Sequence, residues 1–232
     1  MAFTKFALIT DTHGDKINTE CADAFLGFCE DFRPDIKIHG GDYMDCRPLR
    51  RGASDEEKSE GMQADYDAME SFMLRYRPNI VLDGNHDKRL KNLAQNGSGI
   101  MRERAKDGVE KLRQLFEFLE CPVRPYNVWD GVYRLGPLAF IHGFNCGMNP
   151  LVQPMASKGY GNVIMGHVHY SSHVSRFGFE GWTVSCGCDV NLEYNATRLT
   201  SLAQSNGWIS GEVNLATGAF CVTPTVYRSI NS

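Results

Sequence analysis

Five short apolar runs in this chain each end abruptly in a cluster of glycine, carboxylate, amide or imidazole. "FALIT" (6–10) runs into Asp11-Thr12-His13, and "DIKIHG" (35–40) into Gly41-Asp42-Tyr43-Met44-Asp45. "NIVLDG" (79–84) leads into Asn85-His86-Asp87. The run ending at Ile141 meets His142-Gly143, and "NVIMG" (162–166) meets His167-Val168-His169. Apolar runs of this length read as buried strands, and the carboxyl ends of strands are where open α/β sheets gather their sites. This pattern restricts the fold to one that brings five strand ends to one place.

Helical patterns separate the early runs. Ile17, Cys21, Ala24, Phe25, Phe28 and Phe32 follow helical spacing. Ser54 followed by Glu57 reads as a capping box opening a helix. Met62, Tyr66, Met69, Met73 and Tyr76 step by four and three until Pro78 stops them. Residues 88–120 predict one or two helices broken at "NGSG" (96–99), with Val109, Leu112, Leu115, Phe116 and Leu119 on a core face.

The second half reads mostly as strands. One pair is expected around the turn signal Asp130-Gly131, and a last hairpin near "WISGEVNLATGAFCVT". A short helix is expected over 149–159. Strand–helix alternation followed by strands predicts an α/β fold of two packed sheets with helices outside, in a single domain over 1–232.

Composition narrows the class. With 232 residues, 42% of them hydrophobic, there is enough material for a sizeable core. A net charge of −4 argues for no particular polyanionic partner. No apolar run has the length of a membrane span, and the start reads as a strand rather than a leader. The eight cysteines include no CxxC pair, so they read as reduced, mostly buried thiols of a cytoplasmic protein.

Imidazole, carboxylate and amide oxygen together suit borderline divalent metals, and the absence of thiolates at the strand ends argues against structural zinc. Asp11 and His13, like His167 and His169, are two apart, which on extended backbone puts both side chains on one face. Asp42 could bridge two ions through its two oxygens.

With "DTH", "GD", "GNHD", "H" and "GHVH" in order, the chain from about Lys5 to Asp189 resembles the calcineurin-like metallophosphoesterase superfamily. The resemblance implies a four-layer α/β/β/α sandwich with two mixed sheets. It implies two divalent metal ions from among Mn, Fe, Zn, Ni and Co, with Mn favoured. Asp11, His13, Asp42 and His169 would hold one ion. Asp42, Asn85, His142 and His167 would hold the other. By the same resemblance His86 faces substrate and assists the leaving oxygen, and Asp45 orients His86. Protonation of the imidazoles is then expected to end activity below about pH 6.

The expected partner is a phosphoester, with nucleic acid or nucleotide as candidates and no membrane. Residues 88–113 hold eight Lys or Arg against three acids, and Arg47, Arg50 and Arg51 follow Asp42. Such a rim would attract a polyanion, although it equally describes a solvated helix face. Arg89 and Arg47 are the candidate substrate contacts, even though Arg47 does not stand directly after the aspartate as in the protein phosphatases. Similarity to compact members favours a phosphodiesterase; a phosphomonoesterase or protein phosphatase is the alternative, and a metal-binding scaffold without turnover is a third.

Overall fold

The computed structural model describes residues 2–50, 52–147, 149–157, 159–190 and 203–228; Arg51 lies outside them. The early alternation forms as expected. Strand β1 (Thr4–Ile9) is followed by helix α1 (Thr19–Phe32), strand β2 (Ile36–His39) and helix α2 (Asp55–Ser59). Helix α3 (Gln63–Tyr76), strand β3 (Ile80–Leu82), helices α4 (Asn85–Asn96) and α5 (Gly99–Phe118) and the two-residue strand β4 (Val123–Arg124) complete this half.

Local chemistry sets these boundaries. The Asn18 side chain accepts from the Cys21 N–H and caps α1. Ser54 and Glu57 form the expected capping box. Helix α3 ends in a left-handed residue, Arg77, just before Pro78. Helix α4 begins three residues earlier than its periodicity indicates. Asp87 accepts from the Gly84 N–H at 2.7 Å and so draws Asn85 and His86 into the first helical turn.

The second half contributes β5 (Tyr133–Leu135), β6 (Leu138–Ile141), helix α6 (Val152–Ser157), β7 (Asn162–Met165), β8 (Ser172–Arg176), β9 (Phe179–Thr183), β10 (Asn206–Val213) and β11 (Phe220–Tyr227). The Asp130-Gly131 expectation needs correcting. The hairpin there joins β5 to β6 through Gly136-Pro137, with Leu135 opposite Leu138 and Gly136 at φ 56°. Asp130-Gly131 lies in a loop that carries the chain from one sheet to the other, because β4 pairs with β3 instead.

The first sheet has the order β11-β10-β1-β2-β3-β4, with β1 to β4 parallel and β10 antiparallel to β1. The second has the order β5-β6-β7-β9-β8, with β6, β7 and β9 parallel. Both sheets are mixed.

Side-chain alternation along each strand builds the layers. Phe6, Leu8, Ile38, Ile80 and Leu82 point from the first sheet into one apolar cluster with Leu138, Phe140, Ile164 and Trp182 of the second. Ala7, Ile9 and Val81 point the other way, against α1, α3 and α5. Ala139, Ile141, Val163 and Met165 pack against Leu151 and Met155 at the outer helix α6. These three clusters separate four layers: helices, sheet, sheet, helix.

Five of the eight cysteines are buried and all are free thiols, as their spacing indicates; Cys146 and Cys221 are exposed. No described helix is long and apolar enough to cross a membrane.

Phe140 is fully buried between the sheets, with its ring edge-on to Phe6 at 5.1 Å. Phe140→Ala should lower unfolding stability by about 3–5 kcal/mol in urea titrations, the usual range for an emptied aromatic site. A loss under about 1 kcal/mol would mean that the intersheet layer does not hold the fold together.

Candidate metal centre

Parallel pairing of β1, β2 and β3 in one sheet and of β6 and β7 in the other sends their carboxyl ends to a common edge. There the loops are stitched to one another. Asp11, His13 and Gly14 donate their N–H groups to the carbonyls of Gly41, Asp42 and Tyr43 at 2.9–3.0 Å. The second sheet is fastened to the first by the His167 N–H, which donates to Asp11 Oδ2 at 3.0 Å. Close approach requires glycine: a Cβ on Gly166 would stand 2.4 Å from Thr10 Oγ1, and one on Gly84 would stand 2.0 Å from Asp42 Oδ1.

Asp11, His13, Asp42, His167 and His169 all have positive φ, between 50° and 72°. Non-glycine residues avoid this region, and clusters of them mark places where surrounding bonds over-determine the backbone.

Among the described residues four overlapping groups of ligand-type side chains converge here, and two of them contain Asp42. In the first, Asp11, His13 and Asp42 present their atoms to one another within 4.8 Å. His169 Nε2 stands 3.2 Å from Asp11 Oδ1 and 3.3 Å from His13 Nε2. In the second, Asp42, His142 and His167 converge in the same way. His142 Nε2 lies 3.2 Å from Asp42 Oδ2 and 3.2 Å from Asn85 Oδ1. The residues that the resemblance names for each ion thus lie near one another in the fold.

These residues suit divalent cations. Asp11 Oδ2 accepts from Thr10 Oγ1 at 2.7 Å and from the His167 N–H, but the buried Oδ1 has no hydrogen-bond partner. A buried carboxylate oxygen facing two imidazole nitrogens is a setting that a cation would satisfy once the imidazoles give up their protons. Separations near 3.2 Å also match donors that share one ion at bonds of about 2.1 Å. The outer nitrogens are already engaged: His13 Nδ1 by Asp45 Oδ1 at 3.0 Å, and His142 Nδ1 by the Gly40 carbonyl at 2.9 Å. Those bonds fix the tautomer that turns Nε2 inward.

The two oxygens of Asp42, which could both bridge, differ in their surroundings: Oδ1 accepts from the His86 N–H at 2.7 Å. Oδ2 alone faces both clusters, 4.0 Å from His13 Nε2 and 3.2 Å from His142 Nε2.

His86 stands beside this oxygen, its Nε2 3.9 Å from Asp42 Oδ2. Its Nδ1 is 2.7 Å from the Asp45 carbonyl, 3.2 Å from Asp45 Oδ1 and 2.9 Å from Arg89 Nη1, so this side of the ring is held and Nε2 is left facing the site. Asp45 therefore orients two rings, His86 and His13. Arg47 donates to Asp15, Asp45 and Glu60, so it braces Asp45. Arg89 reaches the Asp45 carbonyl at 3.2 Å and lies beside His86.

Several supporting residues escaped sequence reasoning. Asp87 accepts from the N–H groups of Asp42, Met44 and Gly84. Asp65 accepts from those of Asp45 and Cys46. Buried His39 bonds Thr12 Oγ1 at 3.1 Å and accepts from the Gly41 N–H. Cys146 Sγ lies 3.0 Å from His167 Nε2. Asp87 sat in the quoted "GNHD", so a signal existed; Asp65, Thr10 and Cys146 had none.

The electrostatics follow from burial and neighbours. Burial alone would raise the carboxyls of Asp11 and Asp42, but adjacent imidazoles, His169 for Asp11 and His142 for Asp42, hold both well below the usual range. Burial lowers His142, yet Asp42 and Asp11 outweigh it and push this imidazole up to about 9. Burial likewise opposes a charge on His169, but Cys186 and Asp11 beside it outweigh that and raise it well above the ordinary value. Burial and His142 press His167 down to about 4.

At neutral pH without metal, His142 therefore holds a proton that a cation must displace. Apparent metal affinity should climb between about pH 7 and about pH 9 by up to roughly ten-fold per unit for each proton released. This places the onset of proton competition above the pH 6 expected from ordinary imidazoles. Competition against a chromophoric chelator from about pH 6 to about pH 10 measures it. An affinity that is flat above pH 7 would contradict it.

Residues 4–149, more than half the chain, match the family model described as calcineurin-like phosphoesterase. A search of curated proteins gives no match. Among solved structures, the chain is similar to an archaeal phosphodiesterase at 14% identity, covering 95% of this chain and 99% of that one, with a TM-score of 0.48. It is also similar to the phosphoesterase Yfce from E. coli (13% identity, 94% and 98% covered, TM-score 0.45) and to Vps29 of Entamoeba histolytica complexed with zinc (11%, 96% and 98%, 0.44). On the family match, this chain belongs to the calcineurin-like phosphoesterase family.

Proposed function

We propose that the chain is a dinuclear-metal phosphodiesterase acting on nucleotide or nucleic-acid esters. The observation that carries this reading is the single oxygen Asp42 Oδ2 shared between two clusters, one of which contains the buried Asp11 Oδ1 facing the imidazoles of His169 and His13. When bound, two divalent ions, with Mn favoured, would supply Lewis-acid charge and an activated water for in-line attack at phosphorus.

The chain's own residues do the rest. Asp11, His13, Asp42 and His169 would hold one ion, and Asp42, Asn85, His142 and His167 the other. His86, at the start of α4, is held through Nδ1 by Asp45, which leaves Nε2 to exchange a proton with the leaving oxygen. The Asp42 carboxylate and the α4 N-terminus fix the position of His86 through its backbone N–H.

Charge balance favours a diester. A monoester dianion needs more neutralisation than a diester monoanion. Arg47, the nearest arginine in sequence to Asp42, is already bonded to three carboxylates and is 13% exposed. Two members of the basic run are also committed: Lys91 pairs with Asp83, and Arg113 with Glu110 and Glu117. Arg89 remains at the site edge as the candidate substrate contact.

With Mn(II) added, turnover of bis-p-nitrophenyl phosphate should exceed that of p-nitrophenyl phosphate. His86→Ala should lower kcat about 10²- to 10⁴-fold while bound metal is retained. Faster turnover of the monoester would sink the diester reading, and an unaffected His86→Ala would sink the proton-transfer role.

A further inference from the structure

Three segments far apart in sequence meet on the His142 side of the site. The Tyr126 ring lies 5.8 Å from the His142 ring, centre to centre, and 4.9 Å from the ring of Phe144. Lys88, at the start of α4, places Nζ 5.5 Å from the centre of the Tyr126 ring. Among the described residues, the Tyr126 ring joins none of the apolar clusters that form the core. Its neighbours are instead His142, Phe144 and Lys88, which places an aromatic face at the edge of the site.

The loop that carries Phe144 is anchored at both ends. The Tyr126 hydroxyl donates to the Gly143 carbonyl and the Tyr170 hydroxyl to the Gly147 carbonyl, each at 2.9 Å. Phe144 is half-buried, two residues beyond His142. A phosphoester seated at His142 and Asn85 would have an organic substituent beside this pair of rings.

We propose that Tyr126 and Phe144 form a stacking subsite for the base of a nucleoside phosphoester, with Lys88 at its rim. Every nucleobase offers a π face, so an aromatic platform next to a phosphate site favours nucleotide over simple alkyl esters without selecting one base. Lys88 adds a cation near the ring pair, where a neighbouring phosphate would meet it. This inference rests on the phosphoesterase reading of the adjoining centre and specifies its substrate class.

The test is calorimetric binding of adenosine 5′-monophosphate and of methyl phosphate to the Mn(II)-loaded protein. The nucleotide should bind at least about ten-fold more tightly, in line with one base–aromatic stack. Phe144→Ala should remove most of that advantage, and Phe144→Trp, which restores a π face, should keep it. Equal affinities, or an advantage that survives in both Phe144→Ala and Tyr126→Ala, would overturn the subsite. Turnover of bis-p-nitrophenyl phosphate, followed in parallel, separates the two readings. No turnover with the nucleotide advantage intact would overturn the phosphodiesterase and spare the subsite. Turnover with no nucleotide advantage would overturn the subsite alone.

Discussion

The hydrogen bond from the His86 N–H to Asp42 Oδ1 organises the centre. It takes one carboxylate oxygen out of use and aims the other, Oδ2, between two groups of ligand atoms. It also ties the end of β2 to the first turn of α4, so the Asp42 carboxylate and the His86 imidazole keep a fixed relation. If that bond were lost, Asp42 could turn either oxygen to either cluster, and the two halves of the centre would no longer share one atom.

That bond depends on a layer of buried carboxylates beneath it. The backbone from Asp42 to Cys46 makes a sharp passage with Asp42 and Cys46 both at positive φ. Its N–H groups are satisfied by Asp87 at Asp42 and Met44, and by Asp65 at Asp45 and Cys46. Such groups would be costly if buried unpaired. Asp45, held in this passage, then steers both His13 and His86. The loop is thus pinned through its backbone N–H groups by Asp87 and Asp65, and a fixed backbone at this scale is what a preorganised site needs.

Much of this was readable in the chain. Residues that end strands announced themselves by contrast, because Asp11, His13, Asp42 and His142 interrupt apolar runs that could not otherwise tolerate them. Helices with regular apolar spacing, such as α3, were equally legible. What failed to show depends on contacts made across the fold. The Asp130-Gly131 signal was real as a turn, but which strands pair is decided by the intersheet core and not by the turn itself. Asp65 and Tyr126 carry no local signature, since the groups they contact lie 16 to 20 residues away in sequence. Arg47 looked like a cation for substrate until three carboxylates surrounded it.

The central claim is that Asp42 serves both halves of one two-ion centre. Elemental analysis of metal bound after Mn(II) loading and desalting, with wild type, Asp42→Ala and His169→Ala compared, tests it most directly. The account predicts two ions per chain in wild type, one in His169→Ala, and essentially none in Asp42→Ala, with each variant still folded by circular dichroism. One ion per chain in wild type, or equal metal loss in the two variants, would contradict it.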